Sequence, residues 1–208
     1  MSSNREREPL LECRSVERRF GGLVAVSGVD LDIQRGEIFG LVGPNGSGKT
    51  TLTNAITGFY PPNTGSITLN GKDITGTSPH KVARLGVART FQNLALFNGM
   101  SVLDNILLGR HIHMRSGVFR TALYWWLARP DEMVNREIVE EMIEFLQLES
   151  IRHELVDGIP IGLKKRVELA RALVAEPDLL ILDEPMAGMN QEEKEYMARF
   201  ILDARVER

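Results

Sequence analysis

The stretch Gly43, Pro44, Asn45, Gly46, Ser47, Gly48, Lys49 and Thr50 limits what this chain can fold into more than any other. It fits G-x-x-x-x-G-K-[ST], a spacing that has meaning only between a strand and a helix. The apolar run EIFGLV precedes it and reads as the strand, and Lys49 to about Thr57 reads as the helix. Glycines let the backbone curl until its N–H groups point inward, and the helix N-terminus adds partial positive charge. A cradle of that kind takes phosphate oxygens. Lys49 is then placed to reach the β- and γ-phosphates of a nucleotide. Thr50 is placed to ligate Mg2+ through its hydroxyl, and Thr51 completes the binding stretch.

A second run, LLILDE at residues 179–184, is apolar until it ends in two acids. The apolar part demands burial, so it reads as a strand held within a sheet. Asp183 then emerges at the strand's C-terminal end, where open α/β sheets bind ligands. The expectation is that Asp183 holds Mg2+ through water and that Glu184 orients or deprotonates an attacking water. A core strand ending in two solvated acids is the competing reading, and the phosphate loop weighs against it.

Around these landmarks the order of elements is legible. LLECRSVERRF and LVAVSGVDLDI are strand-like and are broken by Gly21-Gly22. SITLNGKDI carries Asn70-Gly71, a strong hairpin signal. Ser78-Pro79 opens a short helix that Gly86 stops, VART is a short strand, and Ser101 with Asp104 forms a capping box. Val134, Ile138, Val139, Met142, Ile143 and Leu146 follow helical spacing, and a helix spans about Leu163 to Ala175. The whole is α/β with a helical insertion.

Composition closes off several classes. With 43% apolar and 25% charged residues the chain has the balance of a soluble globular protein. A formal net charge of −3 leaves little electrostatic footprint for nucleic acid, so none is expected as a partner. Cys13 stands alone, so no disulfide forms within the chain, which fits a reducing compartment. The start MSSNREREPLLE lacks the apolar core of a secretory signal, and no apolar run approaches the roughly 18 residues of a membrane span. His80, His111, His113 and His153 have no zinc-type spacing. There is no N-K-x-D run to read guanine.

Three further stretches narrow the reading. ARTFQNLALF places Gln92 after a short strand, IPIGLKKRVELARALVAEPDLLILDEP places Gly162 and a helix before the second carboxylate strand, and Phe20 lies ahead of the phosphate loop. Together these resemble the ATP-binding subunit of an ABC transporter over essentially the whole chain. The resemblance implies a P-loop NTPase core with an antiparallel β subdomain and a helical subdomain at about 93–165, all within one ATP-binding domain spanning 1–208. It implies ATP and Mg2+ as cofactors. Phe20 would stack on adenine, Gln92 would contact Mg2+ or the attacking water, and Gly162 would face the γ-phosphate bound by a second ATP-binding subunit. Lys49, Gln92 and Glu184 would carry the chemistry, and Thr50, Gln92 and Asp183 the metal. Core packing for Phe20 and a polar loop for Gln92 are the alternatives.

The signature run departs from the common L-S-G-G-Q. It reads Ile159, Pro160, Ile161, Gly162, Leu163, which puts the contact with a second copy in doubt. The departures are patterned. With Ala187-Gly188-Met189-Asn190 and FGGLVAVSGVDL they look like the branched-chain amino acid importer branch. The partners this implies are integral membrane permeases, a second ATP-binding subunit and, indirectly, a solute-binding protein. The implied place is the cytoplasmic face of the inner membrane, held peripherally. The resemblance also implies a histidine on a later strand, and none follows His153. The expectation is a chain shorter than its family, binding nucleotide but hydrolysing it weakly, with a sheet edge left open. A nucleotide-binding module without turnover, or a soluble ABC ATPase, are the rival readings. Trp125 and Trp126 read as helical-subdomain packing or as a groove for a permease helix. Lys164, Lys165 and Arg166 read as a solvated helix face.

Overall fold

The computed structural model describes residues 9–90, 94–112 and 129–207. Trp125, Trp126 and His113 lie outside them. Two compact units make up the chain, Met1–Val87 and Ala88–Arg208.

The first unit is built on an antiparallel sheet of order β2-β1-β3-β4, from β1 (Leu11–Phe20), β2 (Leu23–Ile33), β3 (Thr64–Leu69) and β4 (Lys72–Asp73). β1 turns into β2 at Gly21, whose φ of 57° suits a tight hairpin, and Phe20 pairs with Leu23. Period-two alternation buries Leu11 and Cys13 on one face. The alternation then slips by one residue at Ser15, with φ 47°, so that Val16 returns to the core. Asp30 Oδ1 accepts the Ser15 N–H at 2.6 Å, and a Cβ on Gly65 would lie 2.4 Å from the Ser15 carbonyl oxygen. The bulge is therefore pinned from both neighbouring strands. Asn70 and Gly71, with φ of 51° and 72°, form the expected two-residue hairpin turn between β3 and β4. Helix α1 (Lys49–Ile56) lays Leu52, Ala55 and Ile56 against this sheet, and α2 (Pro79–Arg84) opens on its proline.

One expectation fails here. Residues 37–42 form no strand among the described residues, and Ile38, Phe39, Leu41 and Val42 are exposed, Val42 to 92%. An apolar run states a demand for burial. A strand also needs a neighbouring backbone to bond, and none is paired with this one in either described sheet.

The second unit is mostly helical. It holds β5 (Val87–Arg89), α3 (Val102–Leu107), α4 (Arg129–Phe145), α5 (Ile161–Leu173), β6 (Leu179–Ile181) and α6 (Gln191–Glu207), with short 3-10 turns at Leu108–Ile112 and Glu149–Ile151. β5 and β6 pair, and the Thr90 N–H bonds the Ile181 carbonyl at 3.0 Å. One apolar core runs through the helices, from Val102 and Ile106 on α3, through Val139, Met142, Ile143 and Leu146, to Val167, Ala170 and Leu173 on α5 and Met197 and Phe200 on α6. The capping box is present, with Ser101 Oγ accepting the Asp104 N–H at 3.1 Å. Arg110 is buried and ends α5. It donates to the Val174 carbonyl and to Glu176 Oε2, each at 2.7 Å, and to Asn135 Oδ1 at 2.9 Å. A cation at a helix C-terminus suits both the free carbonyls and the dipole.

Lys165 is a second correction. It is not on a solvated face. It is 5% exposed and faces Glu168, itself 3% exposed, at 3.7 Å on the same helix. Its long stem is drawn in by a helix that packs on several sides at once, and the carboxylate one turn on makes burial of its charge tolerable. Arg166 lies over Tyr196 and Phe200 of α6, 5.5 and 5.3 Å from the ring centroids.

Candidate functional site

In the first unit the phosphate loop runs from Gly43 into α1. Gly46 and Gly48 take φ of 81° and 93°, a region open to glycine and strained for other residues. Gly48 is the N-cap of α1, and a Cβ there would lie 2.3 Å from the Ala25 carbonyl oxygen on β2. A Cβ on Gly43 would lie 2.7 Å from Ser47 Oγ. The loop is thus closed against fixed backbone at Gly48, whereas at Gly43 the neighbour is an exposed serine hydroxyl. Lys49 folds back across it, its Nζ donating to the Gly43 and Pro44 carbonyls at 2.7 and 2.9 Å. That places an ammonium over the loop at the start of a helix with no side-chain cap. Pro44, Asn45, Gly46, Ser47 and Thr50 are exposed, while Thr51 is half-buried. Chemically such an arrangement of main-chain donors, a helix terminus and one lysine can take an anion, with a hydroxyl at hand as a hard oxygen donor.

Phe20, also in this unit, sits at the β1–β2 turn and is 40% exposed, so it is not a core residue. Its ring meets Tyr60 edge-on at 5.5 Å and 87°, and the Arg18 guanidinium lies 4.7 Å from its centroid. Arg18 also donates to the Pro61 carbonyl at 2.7 Å. Neither Arg18 nor Tyr60 was singled out by the sequence, because residues this far apart in the chain carry no local signal of contact.

In the second unit Asp183 follows β6 directly. Its carboxylate Oδ2 accepts from Arg89 on β5 at 3.0 Å, and its N–H donates to Thr90 Oγ1 at 3.3 Å. The two strands therefore fix this acid between them. Arg89 is nearly buried, and nothing in the sequence distinguished it from any basic strand residue. Glu184 is exposed, with φ 47°, the left-handed region for a residue with a side chain. Its carbonyl accepts the Ala187 N–H at 3.1 Å in the turn that follows. Strain of this kind gathers where a site fixes a side chain against its backbone preference.

Gly162 lies in the first turn of α5 and is buried. Gln92 lies outside the described residues. Farther along α5, burial pulls the Arg171 guanidinium below its ordinary value, with Glu168 opposing, and Arg171 donates to the Ala95 carbonyl at 2.6 Å. Among the described residues no cluster of three or more His, Cys, Asp or Glu could hold a metal ion, and no helix is long and apolar enough to cross a membrane.

Comparison with known proteins agrees with this geometry. The chain is 38% identical over 203 residues to the high-affinity branched-chain amino acid transport ATP-binding protein BraF of Pseudomonas aeruginosa, spanning 96% of this chain and 78% of that one. It is 36% identical over 198 residues to LivG of Escherichia coli, a protein of the same description, again with 78% of that protein covered. A solved nucleotide-free ATP-binding cassette from an ABC transporter superposes with a TM-score of 0.81 at 30% identity, over 96% of this chain and 78% of the other. The α/β fold is that of these ATP-binding domains. Residues 26–187 match the profile of the ABC transporter family, and the chain belongs to that family.

Proposed function

We propose that this chain is the ATP-binding and ATP-hydrolysing subunit of an importer for branched-chain or other hydrophobic amino acids. The observation that carries the reading is identity of 36–38% to amino acid transport ATP-binding proteins over 95–96% of the chain. The phosphate loop supports it physically, since Gly46 and Gly48 take left-handed backbone angles and Gly48 leaves no room for a side chain beside Ala25.

In this reading, residues 43–51 bind the triphosphate, with Lys49 exchanging its two carbonyl partners for phosphate oxygens. Phe20 offers its open face to adenine. Thr50 and Asp183 hold Mg2+, which when bound offsets the phosphate charge. Both supply hard oxygen donors of the kind magnesium takes. Glu184 orients the attacking water, and Gln92 relays the state of the site to a permease. Gly162 meets the nucleotide held by a second ATP-binding subunit. Integral permeases hold the pair at the cytoplasmic face of the membrane, and a solute-binding protein delivers the amino acid to them.

A second reading is a nucleotide-binding module without turnover, and the altered run at residues 159–163 favours it. One experiment separates the two. Mg-ATP binding and phosphate release are measured for the purified chain, Lys49→Ala and Glu184→Gln. The importer reading expects binding to fall in Lys49→Ala, with release above background only while Glu184 is intact. Binding without release points to the module. Unchanged binding in Lys49→Ala would remove the loop from both readings.

A further inference from the structure

We propose that Glu193 is a positioning residue. It clamps the segment that follows Asp183 and Glu184 onto the start of α5, and residue 162 is glycine because it must admit this carboxylate from its own chain.

The contact is built from two fixed ends. At the start of α6, Asn190 Oδ1 accepts the Glu193 N–H and Glu193 Oε2 accepts the Asn190 N–H, both at 2.9 Å. This is a reciprocal capping box, so the Glu193 side chain is held rather than free to swing. The same carboxylate lies over Gly162. A Cβ there would meet Glu193 Oε1 at 2.2 Å, Cδ at 2.6 Å and Oε2 at 3.2 Å. Gly162 is buried although its neighbour Ile161 is 41% exposed. One residue earlier there is room for a side chain, since a Cβ on Gly188 would sit 3.7 Å from Ile161 Cγ1. Helix α5 starts at Pro160 without a side-chain cap, so a carboxylate beside its first turn is favourable.

The segment between Glu184 and Asn190 is therefore held against α5 at its C-terminal end. Glu184 begins it in a left-handed turn, and Glu193 ends it against α5. Any shift of the second carboxylate is transmitted to the backbone at Gly162 inside one chain. This role rests on the proposed meeting of Gly162 with a second copy's nucleotide, whereas the steric claim about Gly162 stands without it.

The test has two arms. The first is a stability cycle of Gly162→Ala, Glu193→Ala and the double variant. Alone, Gly162→Ala must push the carboxylate off Asn190, and a melting point lower by about 2–4 °C is expected. In the Glu193→Ala background the same change meets no obstacle and alanine favours the helix, so no loss is expected. An equal loss in both backgrounds would overturn the steric claim. The second arm measures pairing of the chain with Mg2+ and a non-hydrolysable ATP analogue, beside affinity for a fluorescent ATP analogue. Glu193→Ala is expected to weaken pairing about fivefold or more without changing nucleotide affinity. Glu193→Gln, which keeps the shape and the cap acceptor, is expected to pair like the native chain. If the native chain pairs and Glu193→Ala pairs equally well, the positioning role is wrong. If the native chain does not pair, the proposed role of Gly162 falls, together with the positioning role that rests on it, and the stability cycle still decides the steric claim.

Discussion

Replacing Gly48 by alanine tests whether the phosphate loop is held in place by β2. The cost has two parts. A side chain at φ 93° is strained by about 1–2 kcal/mol. The new Cβ would also lie 2.3 Å from the Ala25 carbonyl oxygen and 3.3 Å from Val26 Cγ2, and both neighbours belong to a paired strand. Overpacking of that kind adds about 1–3 kcal/mol. The sum is about 2–5 kcal/mol. Gly46 is the internal control, because its φ is 81° and a Cβ there meets nothing within 4 Å. Gly46→Ala should therefore cost only the strain, about 1–2 kcal/mol. The lone cysteine provides the assay. Cys13 is buried in β1 of the same unit, and burial pushes its thiol up to about 12. It should react with a thiol reagent only when this unit opens. Labelling of Cys13 against urea should then place Gly48→Ala well below Gly46→Ala, with the native chain highest. Equal midpoints for the two variants would show that Ala25 does not approach the loop, and the steric half of the reasoning would be refuted.

Arg110→Met removes a buried guanidinium from the Val174 carbonyl, and a loss of about 2–3 kcal/mol is expected in urea melts followed by far-UV circular dichroism. Arg110→Lys should recover part of this, since an ammonium cannot copy the fork that also reaches Glu176 and Asn135. Glu184→Gly should be more stable than Glu184→Gln by about 1 kcal/mol, because only the first relieves the backbone at φ 47°. Asp73 accepts the Thr75 hydroxyl and N–H, which hold its carboxyl below the usual range. A depressed folded value means stability that is present above about pH 4 and fades as the pH falls through the folded value. Asp73→Asn should flatten that acid limb in a pH series of Cys13 labelling. A limb unchanged by the substitution would place its cause elsewhere.

What the sequence made legible is what local chemistry dictates. Asn70-Gly71 needs two left-handed residues and forms the hairpin it predicts. Ser101 and Asp104 cap α3 because the hydroxyl reaches an N–H three residues on. The loop at residues 43–50 could be read because its glycines serve the backbone directly. What was not legible depends on partners far along the chain. Arg89 matters through Asp183, and Arg18 through Tyr60 and Pro61. Lys165 looked solvated because sequence spacing does not say how many sides of α5 are covered. Residues 37–42 show the converse, since apolar pattern alone did not supply a paired neighbour. The segment after Asn190 reads as a charged amphipathic helix and forms α6. Asn190 and Glu193 are spaced as a capping box, and that spacing foretells the start of α6.

The buried pair on α5 also constrains how this sequence can change over generations. Lys165 and Glu168 sit one turn apart, both out of water. Substituting Glu168 alone strands the charge of Lys165 in the interior, at a cost of about 3–5 kcal/mol, whereas Glu168 also faces Arg171. That is a large share of the stability of an ordinary domain. Exchanging both for apolar residues of similar volume is often neutral or favourable. The order of change therefore matters: a lineage that loses Glu168 first has to cross a poorly folded intermediate, whereas one that changes Lys165 first or both together does not. Natural variants of the chain should not keep Lys165 where Glu168 is lost.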